Sequence, residues 1–218
     1  MIRQYWEGYK MSEFSKDHYV INIGRQYGSG GREVAFKLGE RLGIKAYDTE
    51  IITETAKRTG FSPEFFKKAD EKVRKFSLFS AFSHGIQYES TNFMDGNELF
   101  LIQSNTIRAI AKSESAIFVG RCADYILRDH PRIANVFICA PDEARIERVM
   151  KRRDVSADEA RARIEQVDKK RAEYYNYYTF GEWGVAHTYH LCVDSSVLGI
   201  DGTIDFILEF IDKKIKIL

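Results

Sequence analysis

Cysteine is scarce in this chain, and the three present, Cys122, Cys139 and Cys192, are far apart and odd in number, which excludes a disulfide framework. Cys139 and Cys192 end or interrupt apolar runs (Val-Phe-Ile-Cys and Leu-Cys-Val), so both are expected to be buried packing residues in a reducing, cytoplasmic setting. Long apolar runs are missing too: none approaches the ~18 residues that a membrane-crossing helix needs. Residues 1–17 carry no basic-then-apolar signal pattern and are expected to form an N-terminal arm. Charge of one sign is lacking, and a net charge of +1 gives no global attraction to nucleic acid or to an acidic membrane. The five histidines, at 18, 84, 130, 187 and 190, have no metal-ligand spacing, and no internal repeat or low-complexity tract is present. What remains is 44% apolar and 30% charged, an ordinary balance for one globular domain that buries a real core.

The chain then declares its elements. Val20-Ile21-Asn22-Ile23-Gly24 is short, β-branched and halted by glycine, which predicts a buried strand. Arg25 to Gly31 is too glycine-rich for a regular element, and Val34, Ala35, Leu38 and Leu42 then recur at helical spacing up to Gly43. A second strand is expected at 44–47 and a helix from Thr49 to about Arg58. Residues 61–96 lack clean periodicity, although Ser62-Pro63-Glu64 looks like a helix start. Further strands are expected at 116–119, 133–140 and 191–194. Helices are expected from about 97 to 110, from Pro141-Asp142, from the capping box Ser156 to Glu159 towards Tyr178, and from Ile200 to Ile215. Strands alternating with helices imply a parallel sheet with helices on both faces.

A glycine loop between a buried strand and a helix exposes backbone N–H groups at the helix's positive end, which suits an anion. Gly28, Ser29, Gly30 and Gly31 are therefore candidate phosphate-binding residues. The usual motif is glycine, four residues, glycine, lysine, then serine or threonine. Here the lysine position holds Gly31, and Arg32 is the cation expected to reach the phosphates from the helix start.

The stretch VINIGRQYGSGGREVAFKLGERLG (20–43) resembles the opening of the cytidylate kinase-like family. The likeness continues in order through AYDTEIITETA (46–56), NELFLIQSNTIRAIA (97–111), AIFVGRCADYIL (116–127), VFICAPDEARIERVMKRR (136–153), DKKRAEYYNYYTF (168–180) and LCVDSS (191–196). The resemblance implies a P-loop NTPase three-layer fold of the nucleoside-monophosphate-kinase kind across residues 18–218. It also implies a substrate-binding insertion at about 60–96 and a helical lid at about 150–158. It assigns Asp48, Thr49, Arg121, Asp168 and Arg171 to the substrate, and Arg152 and Arg153 to the lid arginines. Arg32 and Arg121 join those two as candidate catalytic cations. ATP and Mg²⁺ are the implied cofactors, with Glu33 and Asp48 as candidate ligands for the ion.

Phosphoryl transfer needs positive charge aimed at oxygens that become more negative in the transition state. Arg145 to Arg171 supplies it, with ten basic residues against six acidic. Two readings stay open. One is ATP-dependent phosphoryl transfer to a nucleoside monophosphate or a similar small acceptor. The other is a non-catalytic nucleotide- or anion-binding regulatory module, favoured by Gly31, by Glu54 in place of an arginine, and by Cys122 in place of an aspartate.

Overall fold

β-Branched residues at 20, 21 and 23 favour the extended chain, and Val20–Arg25 forms β1 at the centre of a five-stranded sheet in the computed structural model, which describes residues 17–58, 60 and 93–215. In chain order there follow α1 (Gly31–Leu42), β2 (Lys45–Tyr47), α2 (Thr49–Arg58), α3 (Phe93–Ser113), β3 (Ala116–Val119) and the short α4 (Ala123–Ile126). Then come β4 (Ile133–Cys139), α5 (Asp142–Arg153), α6 (Ala157–Thr179), β5 (Leu191–Asp194) and α7 (Ser195–Ile215).

The strand order is β2-β3-β1-β4-β5, and every pairing is parallel. Val20 pairs with both Ala116 and Ile133, so the three central strands start level and their loops emerge together at the C-terminal edge. That edge is where ligands of open parallel sheets bind.

Alternation along each strand divides the core in two. Ile21, Ile23, Ile117, Val119, Val136 and Ile138 pack under Val34, Leu38, Ile204, Ile207 and Ile211, which belong to α1 and α7. Val20, Ala116 and Phe118 face the other way, under Phe100, Ile107, Leu127, Tyr175 and Tyr178. Two of the four clustered tyrosines on α6 are therefore core residues, while Tyr177 is exposed. A third small core joins α5 to α6 through Ile146, Val149, Ala160 and Ile164, with Tyr27 of the glycine loop packed against it.

Two expectations need correction. Cys139, the last residue of β4, is only partly buried, and Cys192 is exposed because β5 is an edge strand, paired on one side alone. Regular helix also begins at Ser195, five residues before the expected start, and is interrupted at Gly199, whose φ of 66° and ψ of −179° are non-helical. The arm at 1–16, the helix start at Ser62 and the insertion at 61–92 lie outside the described residues. Among the described residues no helix is long and apolar enough to cross a membrane.

Candidate functional site

The glycine loop leaves β1 at Arg25 and enters α1 at Gly31, so it sits at the C-terminal edge of the central strand. Its curl requires left-handed backbone at Gly28 (φ 84°) and Gly30 (φ 79°), where a side chain is disfavoured. Val34 is the first residue of α1 to donate back to the loop, to the Gly30 carbonyl at 3.0 Å. Among the described residues the N–H groups of Gly28, Gly30, Gly31, Arg32 and Glu33 find no hydrogen-bond acceptor. Five free amide donors at one helix start form a concentrated positive end.

The loop is held from outside rather than filled from within. Tyr27 donates its N–H to Asp168 Oδ1 (2.7 Å), and its carbonyl accepts from Arg145 Nε (2.9 Å). Arg145 also donates to the other Asp168 oxygen and to Asp142 (3.0 Å). Arg171 donates from Nη1 to the Arg25 carbonyl (3.0 Å) and to Asp168 Oδ1 (3.3 Å). Ser195, fully buried at the start of α7, donates to the Ser29 carbonyl (2.5 Å), and Ser29 Oγ donates to the Gln26 carbonyl (2.9 Å). Burial pushes the Asp168 carboxyl upward, outweighing the Tyr27 N–H and the charges of Arg171 and Arg145 that hold it down.

The predicted cations divide into two groups. Arg32 turns away from the loop: its Nε and Nη2 donate to Asp48 Oδ2 (2.9 and 2.7 Å), and its guanidinium lies over the Phe36 ring. The remaining Asp48 oxygen accepts the N–H groups of Glu50 and Ile51 (3.1 and 3.2 Å), capping α2. Arg152 and Arg153 meet the loop through a side chain. Arg153 Nε donates to the Tyr27 hydroxyl (3.0 Å), as does Arg163 (3.3 Å), and Arg152 sits 5.3 Å from the Tyr27 ring centre. Burial alone would raise the Tyr27 phenol, but those hydrogen bonds and charges reverse the shift and lower it.

Across the edge, Arg121 donates from Nε to Thr49 Oγ1 (2.8 Å) and lies over the Tyr174 ring. It is aimed by an unusual backbone: Gly120, Arg121 and Cys122 are all left-handed, with φ of 75°, 59° and 56°. Two successive non-glycine residues in that region carry strain that the surroundings must over-determine, a pattern that clusters at functional sites. Cys122 itself is buried, and burial pushes its thiol up, which disfavours the reactive thiolate.

Sequence reasoning missed Arg25. Its side chain folds over the loop: a β-carbon built on Gly31 would lie 2.5 Å from Arg25 Cβ, and one built on Gly120 would lie 2.1 Å from Arg25 Nη1. Arg25 thereby spans from the glycine loop to the Arg121 turn. It also missed Arg148 of α5, whose Nη1 would lie 1.9 Å from a β-carbon on Gly30. Arg145 and Ser195, which hold the loop, were missed as well. A signal existed for Arg25: counting the usual motif back from Gly30 puts its first glycine at position 25, where arginine stands.

No group of three or more potential metal-ligating side chains occurs among the described residues. Asp48 has both oxygens engaged, and Glu33 is exposed beside Lys37 (3.4 Å). Among the described residues no protein ligand set for Mg²⁺ is built.

The chain is similar to known proteins in sequence and in fold. The chain is 29% identical over 206 residues to the cytidylate kinase of Methanopyrus kandleri, spanning 88% of this chain and 93% of that one. A solved structure of an uncharacterized protein from Eubacterium ventriosum superposes with a TM-score of 0.69 at 30% identity, covering 89% of this chain and 99% of the other. Shikimate kinase from Bacteroides thetaiotaomicron, only 13% identical, matches with a TM-score of 0.51 over 89% of this chain and 98% of its own, which shows the shared α/β P-loop fold alone. Residues 20–197, the span that contains the loop, its clamps and the Arg121 turn, match the cytidylate kinase-like family, and this chain belongs to that family.

Proposed function

We propose that the chain is an ATP-dependent phosphotransferase whose acceptor is a nucleoside monophosphate or a similar small phosphate-bearing molecule. The observation that carries this reading is the set of free N–H groups of Gly28, Gly30, Gly31, Arg32 and Glu33 at the C-terminal edge of the sheet, where Arg121 also donates to Thr49. ATP would supply the transferable γ-phosphoryl group and bring its Mg²⁺ on phosphate oxygens and water. The amides of the loop would donate to the donor's phosphate oxygens. Because Asp168, Arg145 and Ser195 already fix the loop, little reorganisation is left to the moment of reaction. Arg121 and Thr49 would orient the acceptor's phosphate, with Asp168 and Arg171 acting through the loop.

The turn at 154–156 links α5 to α6 through a left-handed Asp154 and the Ser156–Glu159 capping box. We assign the lid to residues 150–158 and the acceptor-binding insertion to about 60–96. In this reading Arg152 and Arg153 leave Tyr27 when substrates arrive and bear on the transferring group.

A second reading, a nucleotide-binding module without catalysis, is favoured by one observation: Arg32, the cation next to the lysine position, is spent on Asp48. Screening nucleoside monophosphates for ADP release from ATP separates the two. Release with at least one acceptor, dependent on Mg²⁺, is expected. ATP binding with no ADP formed from any acceptor would establish the module instead.

A further inference from the structure

A P-loop without its lysine should lack the cation that reaches over the phosphates. The loop here is not short of positive charge, because Arg25 stands where the motif has its first glycine and bends back over Gly31, the vacant lysine position. Its Nε is closed off from solvent and has no hydrogen-bond partner. Among the described residues no carboxylate forms an ion pair with it. Its Nη1 reaches Gly120, so the side chain runs from the glycine loop at Gly31 to the turn that carries Arg121.

We infer that Arg25 is the phosphate-gripping cation of this loop, taking from the strand end the role that the motif gives to a lysine on the helix. The inference rests on the reading of the loop as a polyphosphate site. A planar guanidinium presents its donors as a fork and can serve oxygens on both sides, whereas a lysine is a point charge. Burial and then the charges of Arg171 and Arg121 push the Arg25 guanidinium well down, against the weaker pull of Asp48 and Asp168. A cation gathered among cations, with no ion pair among the described residues, is a cost to the fold that a bound polyphosphate removes. Arg148 brings a second guanidinium up against Gly30 of the same loop.

The test uses the full chain and its Arg25→Gln and Arg25→Lys variants, titrated calorimetrically with pyrophosphate and with ATP·Mg²⁺, alongside thermal melting without ligand. Arg25→Gln is expected to lose about 10- to 100-fold in affinity for both, the scale of one charge-assisted contact. Its unliganded melting temperature is expected to hold or rise, and Arg25→Lys should keep most of the affinity. Unchanged affinity in Arg25→Gln would overturn the inference, as would a lowered melting temperature in both variants, which would make Arg25 a structural residue. Failure of the unaltered protein to bind pyrophosphate would overturn it too. If pyrophosphate binding depends on Arg25 but no acceptor yields ADP, the kinase reading falls and this inference stands. If ADP release continues undiminished in Arg25→Gln, the reverse holds.

Discussion

Asp168 on α6 accepts the main-chain N–H of Tyr27 at 2.7 Å across 141 residues of sequence, and so a helix carboxylate fixes the glycine loop directly. The same carboxylate binds Arg145, which returns to the Tyr27 carbonyl, so one peptide segment is gripped at both of its polar groups. The loop's shape therefore depends on α5 and α6 as much as on its glycines.

Removing that carboxylate should damage both stability and binding. Asp168→Ala leaves Arg145, only 6% exposed in its side chain, with the solvent-exposed Asp142 as its remaining ion-pair partner. Breaking a buried pair in this way costs on the order of 3–5 kcal/mol. Urea unfolding would read the loss of stability, and ATP titration a parallel loss of affinity. A variant as stable as the parent would refute the clamp.

Gly30 is a loop position that disfavours any side chain. Alanine there would have to adopt a left-handed φ, at ~1–2 kcal/mol, and its β-carbon would lie 2.5 Å from Ile200 Cδ1 as well as against Arg148. Gly30→Ala is expected to keep the fold, with its circular dichroism unchanged, and to lose at least ~10-fold in nucleotide affinity as the amides are displaced. Binding at parental strength would mean that this curl is not the phosphate site.

Arg121 should divide acceptor from donor. Arg121→Ala is expected to raise the acceptor's KM by ~10- to 100-fold while calorimetric ATP binding stays within about twofold. A loss of ATP affinity instead would assign Arg121 to the donor side.

His130 predicts an acid limit to stability. It is buried beside α4, its Nδ1 accepts the Arg132 N–H (3.2 Å), and burial pushes its imidazole from 6.5 down to about 4. A base with a depressed pKa in the folded state is neutral there while the unfolded chain takes up protons. The contribution is therefore intact above about pH 6.5 and lost progressively as pH falls from 6.5 towards 4. The melting temperature should drop over that window, and a His130→Gln variant should show a shallower drop. Identical slopes in both proteins would contradict the assignment.

Much of the fold was legible because its signals are local. A β-branched run stopped by glycine gave β1, helical spacing ending at Gly43 gave α1, and Ser156 with Glu159 gave the capping box that starts α6. The resemblance placed the loop and the Gly120–Arg121 turn. The site's wiring was not legible, because its bonds join residues far apart in sequence: Tyr27 to Asp168, Arg171 to Arg25, Ser195 to Ser29. Arg32 illustrates the limit. Its place beside the lysine position pointed to phosphate, yet the burial of Asp48 at the start of α2 demanded a counter-charge and took it. The exposure of Cys192 has a similar origin, since an apolar run does not reveal that its strand will lie at a sheet edge.

Calorimetric titration of the full chain with ATP in the presence of Mg²⁺ bears most directly on the claim that Gly28 to Glu33 forms a polyphosphate socket. Saturable one-to-one binding, abolished by competing pyrophosphate, is the result predicted. Absence of heat with ATP, together with no shift in melting temperature on adding pyrophosphate, would contradict it.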